Sequence, residues 1–265
     1  MRYLVLGMHK SGTTALAETL HASGVDMGRF DAAVTYDQGN HYEREETQQL
    51  NKQLLRCGNA HSLSIVEPLS PEDASPALLG KMAATVRKLD EEHESWGFKD
   101  PRSCLTWEAW SQVLPAFKVI AIYRHPLEIW HRYIHSKNPW VRLRRLGRGW
   151  RAMRAWHVYN SQLLAFRGST DAELLLLEYG RFMQQDDSIA KLGAFVGREM
   201  NDGRNPELHR AGRDSAILYR LVQFLGATLF RRDVEQLYRE LECASGSTLA
   251  AQAASKETRS EASQR

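Results

Sequence analysis

A short apolar run at the start of the chain leads directly into a glycine-bounded loop and then into a helix-forming segment. Residues 2–6 predict a buried strand, and residues 15–21 predict a helix. Gly7 and Gly12 bound the loop between them. This order is typical of a phosphate-binding loop, in which backbone N–H groups and the positive end of a helix dipole converge on one anion. The start of the chain therefore indicates an α/β protein with an anion site after its first strand.

One position distinguishes this loop from the nucleotide-binding motif G-x-x-x-x-G-K-[ST], which has the same glycine spacing. An NTPase needs lysine directly after the second glycine to reach the β- and γ-phosphates, and this chain has Thr13 there. The loop carries its lysine inside, as Lys10. The alternative interpretation is a glycine-containing turn between strand and helix that binds nothing.

The run His9-Lys10-Ser11-Gly12-Thr13-Thr14 resembles the loop with which sulfotransferases hold the 5′-phosphosulfate of 3′-phosphoadenosine-5′-phosphosulfate (PAPS). The resemblance implies a bacterial-type member of that superfamily, with PAPS as donor and 3′-phosphoadenosine 5′-phosphate (PAP) as product. All six loop residues would contact the nucleotide, and Lys10 would neutralise charge on the oxygen between phosphorus and sulfur. No metal ion is expected, because the nucleotide offers no β,γ-phosphate pair to chelate.

Strand patterns alternate with helix patterns along the chain. Further strands are predicted at 96–102, 117–123 and 172–179, and further helices at 43–57, 77–94, 103–113, 126–137, 147–167, 180–197 and 214–242. Such alternation predicts a three-layer α/β fold with a central, mostly parallel sheet. With the resemblance, the expectation is the P-loop NTPase-like sulfotransferase fold. Ligands of such sheets bind beyond the carboxyl ends of the strands, so the loops after residues 6, 98 and 123 should surround one cleft.

The length and composition bound the organisation of the chain. Its 265 residues suffice for one α/β domain, predicted over 1–243, and the polar residues 244–265 predict a disordered tail. No apolar stretch approaches the roughly 18 residues of a membrane span, and no export signal is visible. Three widely spaced cysteines suggest neither disulfides nor a metal site. These features favour a cytoplasmic protein.

A second motif is Tyr123-Arg124-His125-Pro126, at the end of the strand predicted over 117–123. The resemblance implies that Arg124 grips the 3′-phosphate of the nucleotide, a task that suits the guanidinium fork. The family usually places a serine eight residues further on, where this chain has Arg132. Either Arg132 takes over that contact or Ser136, one turn later, reaches the phosphate. The alternative for Arg124 is pairing with a surface carboxylate.

The third motif is Lys99-Asp100-Pro101-Arg102, which resembles a lysine-proline element of the same superfamily. The resemblance places Lys99 opposite the transferring sulfuryl group, where a cation would stabilise charge on the equatorial oxygens. Asp100 would orient Lys99 or Arg102. The alternative is a turn that an Asp100–Arg102 contact fixes.

A general base must take the proton of the acceptor hydroxyl. By resemblance to carbohydrate sulfotransferases, the segment about thirty residues after the loop supplies a glutamate, and Glu43 matches that residue best. Glu43 would serve if burial raised its pKa towards neutrality. His41 is the competing candidate, since imidazole titrates near neutral pH without tuning. Glu43 could also simply favour the dipole of the helix that follows.

Six arginines fall within 142–154, interleaved with tryptophans. The basic segment 140–154 suggests either a lip for an anionic acceptor or a peripheral membrane contact; the alternative is an amphipathic helix whose arginines are solvated. A net charge of +3 is too small to imply nucleic acid.

Three functions remain open at this point. The first is PAPS-dependent transfer of a sulfuryl group to a hydroxyl of a carbohydrate, glycolipid or secondary metabolite. The second is a P-loop kinase or NTPase. The third is a non-catalytic anion-binding protein that uses the basic segment. The sequence specifies neither the acceptor nor the oligomeric state.

Overall fold

A computed structural model describes residues 1–28, 34, 41–58, 60, 62–135, 139–170, 172–208, 216–230 and 233–246. Most of the predicted loop 29–42, Ser136 and most of the predicted tail lie outside the described residues.

Four parallel strands form the centre of the fold. They are β1 (Arg2–Leu6), β2 (Trp96–Lys99), β3 (Phe117–Tyr123) and β4 (Glu173–Glu178), in the order β2-β1-β3-β4. β1 pairs in parallel with both β2 and β3, and β3 pairs in parallel with β4. The chain crosses from β2 over β1 to β3, so the order reverses between β1 and β3. In open α/β sheets ligands bind at such a reversal, beyond the carboxyl ends of the strands.

Helices cover both faces of this sheet, because successive side chains of a strand point to opposite faces. In β1, Leu4 and Leu6 join the larger apolar core, whereas Tyr3 and Val5 join the smaller one. The helices are α1 (Thr13–Ala22), α2 (Glu45–Leu54), α3 (Pro76–Glu92), α4 (Ser103–Val113), α5 (Pro126–Ile134), α6 (Pro139–Arg144), α7 (Leu146–Ser169), α8 (Tyr179–Gln184), α9 (Asp186–Val196), α10 (Ala216–Phe230) and α11 (234–246). α1, α8 and α9 contribute to the smaller core, and α2 to α5 and α7 to the larger. The predicted three-layer α/β fold with a parallel sheet is confirmed.

Two predicted helices are each divided in two. The segment 180–197 breaks at Gln185, which has an extended backbone and ends α8 before Asp186 opens α9. The Gln185 carbonyl there accepts a hydrogen bond from the Arg204 guanidinium at 3.0 Å, a partner that local periodicity does not reveal. The segment 214–242 contains α10 and α11.

Helical structure continues past residue 243, where the sequence placed the end of the domain. α11 runs to residue 246, and Ala244 and Ser245 are buried. The Ser245 hydroxyl lies 3.3 Å from the Tyr123 hydroxyl. Small residues pack closely on the sheet here, although their composition is typical of a tail. No described helix combines the length and the apolar character that crossing a membrane requires.

Candidate active site

The loop between β1 and α1 has backbone angles and close contacts that few residue types other than glycine tolerate. Gly12 has φ of 98°, and a β-carbon there would lie 2.1 Å from the Tyr179 ring. A β-carbon on Gly7 would lie 2.5 Å from the Ile122 carbonyl oxygen. Lys10 adopts a left-handed φ of 70° without being glycine. Such strain persists only where the surroundings impose it, and it is concentrated at functional sites.

Two buried side chains support this loop. Ser11 is fully buried, and its Oγ has no hydrogen-bond partner among the described residues. The Gly7 N–H donates to the sulfur of Cys104 at 3.1 Å, so this buried cysteine holds the start of the loop. α1 then begins at Thr13, directly after a glycine that has no side chain to cap it. A helix start with uncapped N–H groups and a buried hydroxyl is suited to an oxyanion.

The loops after β1, β2 and β3 surround one cleft of about 390 Å³, which we call the central cleft. Its described lining residues are His9, Lys10, Gly12, Thr13, Thr14, Ala15, His41, Glu43, Lys99, Pro101, Arg124, Arg132 and Tyr179. The volume is sufficient for a nucleotide-sized ligand. Among these described residues the lysines and arginines outnumber carboxylates by four to one, which favours an anion.

Lys99 and Glu43 form an ion pair inside the central cleft. The Lys99 ammonium is 2.8 Å from Glu43 Oε1 and donates to Thr14 Oγ1 at 3.3 Å. The second Glu43 oxygen accepts from the Gln48 amide at 2.7 Å. The lysine side chain is 2% exposed and that of the glutamate 20%. Lys99 therefore connects the end of β2 to the first turn of α1 and to the segment before α2.

The pKa of Glu43 is lowered, whereas a tuned general base was expected to have a raised pKa. Burial raises this pKa, but the Lys99 charge and the hydrogen bonds from Lys99 and Gln48 outweigh burial and hold it below its ordinary value. Burial also lowers the pKa of Lys99, although the adjacent Glu43 opposes that effect. The sequence prediction considered only the burial of Glu43 and did not foresee its ion pair with Lys99.

The turn after Lys99 is fixed by Asp100. Its carboxylate pairs with Arg102 at 2.8 Å, which is the contact that the sequence offered as an alternative. Asp100 also accepts from the Asn51 amide of α2 at 3.0 Å. Burial of Asp100 raises its pKa in spite of Arg102. The sequence offered the Asp100–Arg102 contact as an alternative to a Lys99 that faces the cleft. The structure contains both features.

Arg124, at the end of β3, is buried and has contacts on several sides. Its Nε donates to Glu128 at 2.6 Å, one turn into α5, and an Nη atom donates to the Lys10 carbonyl at 3.4 Å. The guanidinium carbon lies 4.2 Å from the centre of the Tyr179 ring. Arg124 therefore pairs with a carboxylate, as the alternative interpretation predicted, and it also lines the central cleft. Its contact with a 3′-phosphate stays a prediction.

Two further candidates line the central cleft. Arg132, on α5, and His41, before α2, both do so, whereas Ser136 lies outside the described residues. His125 does not line it: its Nδ1 accepts from the Leu127 N–H at 3.1 Å and caps α5. Ser11 of the loop is fully buried and is absent from the described lining of the cleft.

Sequence reasoning missed Tyr179 and Glu128. Tyr179 follows β4 directly, so the rule that ligands bind beyond the carboxyl ends of parallel strands would have found it. Glu128 lies four positions after Arg124, but the i,i+4 pairing rule applies within helices and Arg124 precedes α5, so the rule did not predict this contact.

The basic segment 140–154 lies on α6 and α7. Trp156 of α7 is buried and donates to the Arg124 carbonyl at 2.9 Å, and Met153 is buried as well. Arg148, Arg151 and Arg154 are exposed. This part of α7 is amphipathic, as the structural alternative predicted.

The parallel sheet, the glycine-bounded loop and the cationic central cleft define an α/β protein of the phosphate-binding-loop class. The sequence matches the model of the sulfotransferase family over residues 3–202. The match covers most of the 265 residues, and the chain therefore belongs to the sulfotransferase family.

The chain is also similar to solved structures of sulfotransferase domains. The sulfotransferase domain of the olefin synthase of Synechococcus PCC 7002 is similar with a TM-score of 0.48 and 16% identity, covering 82% of this chain and 82% of that one. The sulfotransferase domain from the curacin biosynthetic pathway has a TM-score of 0.45 and 14% identity, covering 80% and 79%. No curated protein sequence matches significantly.

Proposed function

We propose that this protein transfers a sulfuryl group from PAPS to a hydroxyl acceptor and releases PAP. The observation that carries the proposal is that one cleft is lined jointly by Lys10 of the loop, Thr14 at the start of α1, Lys99 at the end of β2 and Arg124 after β3. A nucleotide with a 5′-phosphosulfate and a 3′-phosphate needs cations at separate places. The family match favours this function over a kinase or NTPase.

The residues present fit the donor. The buried, unpartnered hydroxyl of Ser11 and the two glycines with no room for a β-carbon form a cradle for an oxyanion at the start of α1. Thr13 and Thr14 add hydroxyls at the same place. When bound, PAPS supplies the activated sulfuryl group. Arg124, with Arg132 or Ser136, would hold the 3′-phosphate.

Lys10 and Lys99 would provide the electrostatic stabilisation. Lys10 would neutralise the oxygen from which the sulfuryl group departs, and Lys99 would face its equatorial oxygens. A bond from Lys99 to these oxygens would weaken its hold on Glu43. Because Lys99 is the main group that lowers the pKa of Glu43, that change would make the carboxylate a stronger base as the acceptor loses its proton to it. His41 remains the competing base.

The first test concerns the donor. Wild-type protein should be stabilised by PAP without added metal, and at 100 times Kd the expected gain is about 2.7 kcal/mol in the free energy of unfolding. Lys10→Ala should abolish sulfuryl transfer from PAPS. The transfer is measured by mass spectrometry with a panel of sugar and phenol acceptors, and circular dichroism should show that the variant keeps its fold. Stabilisation by ATP with Mg²⁺ but not by PAP would contradict the proposal.

A further inference from the structure

α10 is anchored to the protein by one face. Tyr219 is buried; its ring centre is 6.3 Å from that of Trp130 on α5, and its hydroxyl donates to Glu235 on α11. The same side of α10 borders a narrow cavity between α7 and α11. The described lining of this cavity is Trp150, Met153, Arg154, Val222, Gln223, Gly226 and Val234.

The opposite face of α10 exposes large apolar side chains to solvent. Ile217 is 86% exposed, Leu221 54% and Phe224 65%. Positions i, i+4 and i+7 lie on one side of a helix, so the three form one stripe, which we call the α10 stripe. Of the large apolar side chains exposed in the described part of the chain, only Met1 and Trp140 lie elsewhere. Their concentration on one helix indicates an interaction surface.

Positive charge is concentrated around this helix in the sequence. Between positions 210 and 233 the chain contains five arginines and two aspartates. This excess of three positive charges equals the formal net charge of the whole protein, +3. Within α10 the only charged residue is Arg220, which is exposed. The other arginines flank the helix, at 210 and 213 before it and at 231 and 232 after it.

We propose that α10 docks on an anionic lipid bilayer and lies in the plane of its surface. The α10 stripe would enter the boundary between headgroups and acyl chains, and the arginines would neutralise lipid phosphates. The helix has 15 residues, about 22 Å at 1.5 Å per residue, which is too short to span a hydrocarbon core of roughly 30 Å. Apolar side chains flanked by arginines are complementary to an anionic interface.

Two other occupants fit this surface less well. Because a two-fold axis brings the same surface of both copies together, a second copy would cover the α10 stripe with apolar side chains but would present the same excess of positive charge to Arg220. Residues 247–265 contain one large apolar side chain, Leu249, so this segment offers little apolar surface to cover the three. An anionic bilayer is the occupant that matches both the apolar side chains and the charge.

Sedimentation with vesicles tests the proposal on the full chain. The protein should bind vesicles that contain about one third phosphatidylglycerol. It should bind roughly tenfold more weakly to vesicles of pure phosphatidylcholine, and also to the anionic vesicles in high salt. The triple variant Ile217→Ser, Leu221→Ser, Phe224→Ser should bind the anionic vesicles at least about tenfold more weakly. Trp140→Ser is the matched control: it removes another exposed apolar side chain, on α6 in the basic segment, and should bind as the wild type does.

The remaining outcomes are equally decisive. Thermal unfolding checks the fold of the triple variant, and the single variant Phe224→Ser, with a smaller loss of binding, replaces it if the triple variant misfolds. The proposal would be overturned if the wild-type protein did not bind anionic vesicles. It would also be overturned if Trp140→Ser abolished binding and the triple variant did not. A dimer in light scattering that the triple variant dissociates without any vesicle binding would overturn it as well, because the surface would then join two copies. Vesicle binding requires no turnover, so the result is independent of the proposed enzymatic activity.

Discussion

At the scale of single residues, the Lys99–Glu43 pair sets the chemistry of the central cleft. A buried lysine without a partner would lose its charge easily, and a buried carboxylate alone would stay protonated to higher pH. Held at 2.8 Å, each keeps the other ionised. This arrangement provides a cation and a deprotonated base at the same time, although the base is weak until the lysine finds another partner.

The first prediction at this scale assigns the base. Glu43→Gln preserves shape and the bond to Lys99 but removes basicity, so we expect kcat to fall roughly a hundredfold to ten-thousandfold. His41→Asn should cost far less. The affinity for PAP, measured by calorimetry, should be unchanged in both variants because a base acts only in the chemical step. If His41→Asn stops turnover and Glu43→Gln does not, the two roles are reversed.

The second prediction concerns Arg124. Arg124→Ala should weaken binding of PAP roughly tenfold to a hundredfold. This corresponds to the loss of about 1.5–3 kcal/mol that is typical of a hydrogen bond to a charged group. Adenosine 5′-phosphate lacks the 3′-phosphate and should lose much less affinity. Arg132→Ala and Ser136→Ala, measured with the same two nucleotides, show which residue completes the site. An equal loss for both nucleotides in Arg124→Ala would leave that arginine with a structural role only.

At the scale of the secondary-structure elements, the loop between β1 and α1 is held in place by distant parts of the chain. Cys104 of α4 accepts from Gly7, and the Tyr179 ring at the start of α8 lies where a side chain on Gly12 would be. The same ring lies against Arg124 after β3. The loop and the end of β3 therefore share one supporting side chain.

A glycine pair tests this support. Gly12→Ala should destabilise the fold by more than about 1 kcal/mol and abolish PAP binding, because φ is 98° and the new β-carbon would meet the Tyr179 ring at 2.1 Å. Gly80→Ala is the matched control: it lies within α3, and an added β-carbon there has no neighbour within 4 Å. Helix propensity predicts that the control gains about 1 kcal/mol. Urea unfolding and nucleotide titration measure both effects, and unimpaired PAP binding by Gly12→Ala would refute the proposed cradle.

At the scale of the whole molecule, Asp90 joins the outer helix layer to the sheet. Its carboxylate accepts from Arg2 of β1 at 2.7 and 2.8 Å and from the indole of Trp96 of β2 at 2.9 Å. Burial alone would raise its pKa, but these hydrogen bonds and the Arg2 charge hold it below its ordinary value. α3, β1 and β2 thus depend on one ionised group, and Arg2 is 88 positions from it in the sequence.

Acid should remove this contribution. Because the folded protein depresses the pKa of Asp90, the stability it provides is complete above the ordinary value of about 3.9 and is lost as pH falls through the folded-state pKa. Asp90→Asn should therefore cost about 1–3 kcal/mol at pH 7, and the difference from wild type should shrink below about pH 4. Urea unfolding at a series of pH values measures it. A difference that stays constant down to the lowest pH at which both proteins fold would show that charge is not the cause.

Local patterns in the sequence determined a large share of this fold. The strand at 117–123 and the helix at 103–113 were predicted with the bounds that the structure has, because their patterns are uninterrupted and closed by Pro115, Pro126 and Pro101. The phosphate-binding loop is contiguous, so the sequence also contained its glycines, lysine and hydroxyls. Parallel pairing then followed from the alternation of strands and helices, and with it the cleft that the strand ends share.

Tertiary structure alone decided which distant side chains meet. Lys99 and Glu43 are 56 positions apart, and their contact reverses the pKa shift that burial of Glu43 would give. The Tyr179 ring beneath Arg124 and the exposed face of α10 likewise depend on packing. Hydrogen bonding and solvent exposure depend on the position of every neighbouring element. The sequence contains this information only through the whole fold, whereas strand periodicity and loop motifs are complete within a few residues.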